Sequence, residues 1–178
     1  VGISSTGGTV HYTVLYTYPV PPNAPGELAA FRVTRTVANP GATPPPVATM
    51  DLAPVNAVTL PASQVYDVGV RVIVDHPVDG LVISDPLPAG FEAVDTTFRT
   101  TNSAVAAQWD SWEIDSQQIY RDKVMAYASH LGPGVYDLHY LVRSVTPGTF
   151  TWPGAQAYLK DAPEQFGRTA STTLTVSQ

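Results

Sequence analysis

The chain has 178 residues, of which 44% are hydrophobic and only 13% charged, with 17 prolines, 13 glycines and no cysteine. That length is enough for one domain with its own core. The prolines and glycines argue against long helices and coiled coils, and 9 Tyr, 5 Phe and 3 Trp argue against disorder. A net charge of −6 without a basic cluster disfavours nucleic-acid binding, and the missing cysteines exclude disulfides, thiolate metal sites and a cysteine nucleophile.

Along the chain, apolar residues alternate with polar ones at the period of a strand. Val10, Tyr12, Val14, Tyr16 and Tyr18 share one face, opposite His11, Thr13 and Thr17. Residues 20–28 contain Pro21-Pro22 and Pro25-Gly26 and read as a stiff linker. On that reading residues 1–19 are the last strand of a preceding domain, residues 20–30 the linker and residues 31–178 the sandwich. Alternatively, residues 7–18 are the first strand of the same sandwich. Phe31, Val33 and Val37 then alternate with Arg32, Thr34 and Thr36. Residues 39–63, with Pro44-Pro45-Pro46, read as a long loop.

The cleanest strand carries Val68, Val70, Val72 and Val74, with Arg71 and Asp75 on its other face. Shorter strands are predicted at residues 81–84, 123–128, 149–152 and 155–158. Tyr136, Leu138, Tyr140 and Val142 alternate with Asp137, His139 and Arg143, and Ala170, Thr172, Leu174 and Val176 close the chain. Helix is expected at most as one turn after Pro88, around residues 91–98, or at residues 116–120. About nine strands with Pro/Gly punctuation predict an all-β, antiparallel immunoglobulin-like or macroglobulin-like β-sandwich with at most one short helix. Arg71, Lys123 and residues 40–46 are expected to blunt its open edges. No apolar run is long enough to span a membrane. The chain begins at Val1 without a signal peptide and reads as a piece of something longer.

Chemistry is sparse. His11, His76, His130 and His139 have no metal-ligand spacing, and His11 and His139 fall on polar strand faces, where a solvated side chain is expected. Asp75, His76 and Asp79 match no cation-loop pattern. Neither a GxSxG nor an SxxK motif occurs, and nucleotide cradles are absent. No catalytic residue, metal site or cofactor is assigned, and the chain is not expected to be an enzyme. The segment from Trp109 through Asp110, Trp112 and Glu113 to Asp115 reads either as an aromatic-acidic docking loop or as a strand with Trp109 or Trp112 in the core and its acids in solvent. Trp109, Trp112 and Trp152 could also stack on sugars.

Ordered motifs carry a resemblance. Asp85-Pro86-Leu87-Pro88-Ala89-Gly90-Phe91-Glu92, Tyr120-Arg121-Asp122-Lys123-Val124, the run from Tyr136 to Phe150, Pro153-Gly154-Ala155-Gln156-Ala157-Tyr158 and Gly167-Arg168-Thr169-Ala170 resemble the C-terminal macroglobulin-like, receptor-binding-type domain of bacterial alpha-2-macroglobulins. Gly8-Thr9-Val10-His11-Tyr12-Thr13 resembles the strand that ends the family's CUB-like domain. The acidic residue and Met that precede the family's Tyr are missing here, since Ala155-Gln156-Ala157 stand before Tyr158.

The resemblance implies a non-catalytic module of a broad-spectrum endopeptidase inhibitor, periplasmic or extracellular and associated with the cell envelope. It implies packing against a thioester domain and movement when a bait region is cut. The partners implied are other domains of the parent chain and the trapped proteases, with no nucleic acid and no direct membrane insertion. The thioester cysteine would lie in another domain. Trp109, Trp112 and Tyr158 are the candidate interdomain contacts. The competing expectation is an adhesive or stalk domain of a bacterial surface protein, which would share the fold.

Overall fold

A computed structural model describes residues 6–9, 11–14, 21, 23–41, 45–55, 57–94 and 110–178. The strands in chain order are β1 (Glu27–Leu28), β2 (Arg32–Ala38), β3 (Pro46–Met50), β4 (Val58–Pro61), β5 (Val65–Val74), β6 (Val78–Pro86) and β7 (Phe91–Val94). They continue with β8 (Ser116–Ile119), β9 (Lys123–Leu131), β10 (Gly134–Ser144), β11 (Gly148–Trp152), β12 (Gln156–Leu159), β13 (Ala162–Arg168) and β14 (Thr172–Ser177). They build an all-β sandwich with no helix among the described residues.

Three sheets enclose the core. One has the order β1-β13-β12-β6-β9-β8, the second β3-β2-β5-β10-β7, and the third is the small sheet β11-β14-β4. The alternation read from the sequence sets the inward faces: Phe31, Val33 and Val37, Val68, Val70 and Val72, Leu138 and Val142, and Leu174 are fully buried in one cluster. Burying a side chain of this size stabilises the fold by about 1.5–3 kcal/mol. One departure from the expected antiparallel pairing is the third sheet, where β4 runs parallel to β14 with Leu174 opposite Val58.

Both helix candidates are strands. Residues 91–94 form β7 against β10, and residues 95–98 lie outside the described set. Residues 116–119 form β8, in register with residues 124–127 of β9. Gln117 and Gln118 have no strong strand propensity; pairing with a neighbour imposes the conformation. The supposed loop 39–63 holds β3 and β4. Proline is compatible there because β3 is an edge strand that begins at Pro46. Arg71 and Lys123, by contrast, do not guard edges, since β5 lies between β2 and β10 and β9 between β6 and β8.

Residues 11–14 are in no strand, and Tyr12 and Val14 are exposed; Val10, Tyr16 and Tyr18 lie outside the described residues. The segment that follows is held to the sandwich. Ala24 N donates to Ser171 Oγ at 2.8 Å, Ser171 N to Ala24 O at 3.0 Å, and Gly26 N to Leu52 O at 2.8 Å.

Candidate functional site

The densest polar cluster lies inside the molecule. Arg35 projects from β2 on the same face as Val33 and Val37, and Asp85 from β6 on the face of Leu81 and Ile83. Both are completely buried. The guanidinium grips the carboxylate with both ends of its fork: Nε donates to Asp85 Oδ2 at 3.1 Å and Nη2 to Oδ1. Nη2 also donates to Pro153 O at 2.7 Å, the Tyr140 hydroxyl donates to Asp85 Oδ2 at 2.7 Å, and the guanidinium carbon sits 4.7 Å from the centre of the Trp152 ring. Trp152 in turn donates its indole N–H to Pro86 O at 3.2 Å. Arg35 and Tyr140 belong to one large sheet, Asp85 to the other and Trp152 to the third, so the cluster ties all three together. Its donors and acceptors are used on one another, and no substrate can reach them; the cluster organises the core.

Burial, and then the charge of Asp85, hold the Tyr140 hydroxyl well above the usual tyrosine range. The protonated form is thus favoured in the folded state, so its contribution is fully present below about pH 10 and is lost as pH rises through the raised folded value. In chemical denaturation at alkaline pH, the stability advantage of the natural chain over Tyr140→Phe should shrink as pH rises above about 10. A difference independent of pH would show that the hydroxyl titrates as it does in water.

The outer faces carry the exposed candidates. Across the six-stranded sheet, Phe166, Tyr158, Val82 and Tyr127 pair in register on the face turned away from Ile83, Ala126 and Ala157. Tyr158 is half-buried in this row, and Val82 at its centre is buried although it stands outside the core cluster. Trp112 lies on a turn closed by Ile114 N donating to Ser111 O at 3.0 Å, and it is 89% exposed. The expectation of a core Trp112 on a strand is therefore corrected: the residue projects into solvent. Trp109 lies outside the described residues. Trp152, fully buried, offers no face to a sugar.

The acids beside Trp112 do more than meet water. Asp110 accepts from His139 N at 2.6 Å, Ser111 exchanges hydrogen bonds with the backbone of Asp137, and Asp115 accepts from Ser129 N at 2.6 Å. Burial pushes the Asp110 carboxyl up, partly offset by the His139 N–H. The Asp110 and Ser111 contacts occupy the stretch of β10 beyond the reach of β7, where an open edge would otherwise remain, and the Asp115 contact ties the same segment to β9. His139 is not the solvated histidine expected: its Nδ1 lies 3.0 Å from Asp67 Oδ1, and both side chains are largely buried. Among the described residues no group of three or more His, Asp and Glu side chains could hold a metal. A groove of about 720 Å³ is lined by residues including Leu87, Phe91, Tyr120, Asp122 and Val145, and no His or Ser is among its lining residues.

The comparisons with known proteins bear on this architecture. Residues 31–164 match the family model described as the bacterial alpha-2-macroglobulin MG10 domain. The chain belongs to that family. A curated alpha-2-macroglobulin homolog from Nostoc sp. is 52% identical over 174 residues, which cover 98% of this chain and 9% of the relative. The chain thus spans about a tenth of that relative's length. Among solved structures, native alpha-2-macroglobulin from Escherichia coli superposes with a TM-score of 0.69 at 18% identity, over 89% of this chain and 25% of that one. The Escherichia coli protein activated by porcine elastase gives 0.68 at 20% identity, over 92% and 14%. At these identities the solved structures speak for the fold.

In this MG10 domain the motifs that carry the family resemblance prove to be packing devices. Asp85 opens the turn that leads from one large sheet to the other, Leu87 N donates to Asp122 O at 2.8 Å, and Val145 N to Gly90 O at 2.9 Å. A Cβ on Gly90 would stand 2.6 Å from the Phe150 ring. Gly154 faces Thr169 O, which a Cβ would approach to 2.1 Å, and the buried Thr169 hydroxyl accepts from Ala155 N at 3.0 Å. Three of the recognised segments therefore meet at one end of the sandwich and two at the β12–β13 side. What the sequence reading missed is Arg35 and Asp85. The signal was there: each falls at the inward phase of its own strand, one cation and one anion.

Proposed function

We propose that this domain is a non-catalytic module of a bacterial alpha-2-macroglobulin-type endopeptidase inhibitor. It seats against the domain that bears the reactive ester and shifts when the bait region is cut. The observation that supports this reading is the half-buried aromatic row Phe166–Tyr158–Val82–Tyr127 on an outer sheet face. Apolar area turned outward from a packed sheet favours contact with another surface. A tyrosine at such a contact can keep water from an ester in the adjoining crevice, since a dry crevice holds few nucleophiles. The implied setting is the periplasm or the cell exterior, at the envelope, with the trapped proteases as partners of the whole parent.

The test is the lifetime of the reactive ester in the full-length parent. Tyr158→Ala should shorten it at least tenfold, whereas Tyr158→Phe, which keeps the ring, should leave it close to the natural value. Trp112→Ala measures the second candidate in the same assay. Unchanged lifetimes in both alanine variants would remove both residues from the role.

A further inference from the structure

The edge of β10 is closed in two different ways. β10 pairs with β5 from Gly134 to Arg143, but β7 covers its other edge only from Leu141 to Ser144. Backbone groups of alternate residues point to the same edge of a strand. Asp137 and His139 therefore turn their N–H and C=O groups away from β5, and side chains and backbone of a short segment meet them. Asp137 N donates to Ser111 Oγ at 2.9 Å, and Asp137 O accepts from Ser111 N at 2.8 Å. His139 N donates to Asp110 Oδ1 at 2.6 Å, and His139 O accepts from Gln117 Nε2 at 2.9 Å. The same segment reaches the other large sheet at β9. There Asp115 Oδ2 accepts from Ser129 N at 2.6 Å, and Asp115 N donates to Tyr127 O at 2.9 Å.

Most of these bonds use a side chain where a neighbouring strand would offer its backbone. The short polar arms of Asp and Ser suit that substitution. They bring little apolar surface with them. Trp112 is 89% exposed, and Ile114 is the one apolar side chain of residues 110–115 that packs against the core cluster. A segment with few buried apolar contacts opens at a lower free energy than the core it lies on. Leu138 and Tyr140, by contrast, pair with Val70 and Val68 of β5 and have their side chains in the core.

We propose that residues 110–115 are a releasable strap, a single unit that lifts off both large sheets while the sandwich stays folded. Its release frees the Asp137 and His139 N–H groups on the edge of β10, the kind of row with which an added strand pairs. Alternate amides of one strand thus belong to different units: Asp137 and His139 open with the strap, Leu138 and Tyr140 only with the whole fold.

Native-state hydrogen exchange of the chain, followed by NMR in urea below the unfolding transition, decides it. The Asp137, His139 and Ser129 amides are expected to exchange on the order of 100-fold faster than those of Leu138 and Tyr140. Their rates should depend little on urea, because lifting the strap uncovers little surface. Ser111→Ala takes an acceptor from Asp137 alone. In a single unit it should nevertheless speed His139 and Ser129 by about three- to tenfold, the weight of one hydrogen bond, and leave Leu138 and Tyr140 unchanged. Strap amides that share the urea dependence of Leu138 and Tyr140 would overturn the proposal, and this part of the experiment needs no variant. Acceleration confined to Asp137 in Ser111→Ala would overturn it too, since the contacts would then act singly.

Discussion

Asp85→Asn is expected to cost the domain about 3–5 kcal/mol of unfolding free energy, the range found when one partner of a buried ion pair is removed. The substitution keeps the size of the side chain and removes its charge. Arg35 would then hold a full positive charge with no exposure to water. What remains to it is one neutral amide oxygen of the new side chain, the Pro153 carbonyl, the Met50 sulfur at 3.7 Å and the Trp152 face, none of them charged and together too little to replace hydration. The Tyr140 hydroxyl, 2.7 Å from Asp85 Oδ2, would lose a charged acceptor as well. The pair itself contributes much less than this figure, because bringing both charges out of water offsets most of their attraction. A combined Arg35→Met, Asp85→Leu, Tyr140→Phe variant should therefore recover most of the loss. Urea denaturation of all three proteins measures both statements. A single variant within about 1 kcal/mol of the natural chain would mean that water or a rearranged neighbour reaches Arg35.

Gly167→Ala should cost about 3 kcal/mol or more, the upper range for overpacking, although alanine is the better residue for a strand. A Cβ at Gly167 would lie 1.8 Å from Phe31 O and 2.7 Å from Phe31 C. Both are backbone atoms and cannot swing aside. They are also held in place: Phe166 O accepts from Ala30 N at 2.7 Å and from Ala29 N at 3.2 Å, which clamps the approach to β2 against β13. Gly132→Ala is the control, since a Cβ there meets nothing within 4 Å. The two variants are compared by the same denaturation measurement at constant m-value. Equal stabilities would show that β13 can move away from Phe31 without loss.

These two sites illustrate how much a pattern of residues reveals. Val68, Val70 and Val72 were readable as an inward face because three β-branched residues at alternate positions leave the strand no other way to hide them. Tyr136, Leu138 and Tyr140 are readable for the same reason. Arg35 and Asp85 sit at equally inward phases, yet a charged side chain taken alone belongs in solvent, and nothing local in either strand says that the other will meet it. They are 50 residues apart in sequence and come from different sheets. Gly167 looked like punctuation in a motif; its need to be glycine comes from Phe31, more than a hundred residues earlier.

The misread segments have the same cause. Ser116, Gln117 and Gln118 carry little strand preference of their own, and they became part of β8 because β9 offered an unpaired edge. Trp112 was weighed as a core residue on the strength of its size, but the tight turn at residues 111–114 lifts it off the sheet. His139 looked solvent-bound from its place opposite Tyr140, and only the packing of β5 beside β10 brings Asp67 to it.

The order of residues alone determined an all-β chain, the inward phase of its long strands and its membership in a recognisable group, because alternation and turn chemistry act over a few neighbours. Only the tertiary structure decided which charges are buried together, which glycines have no room for a methyl group and which aromatics are left outside. Those depend on distances between segments far apart in the chain, and a distance across a sandwich is a property of how the sheets pack.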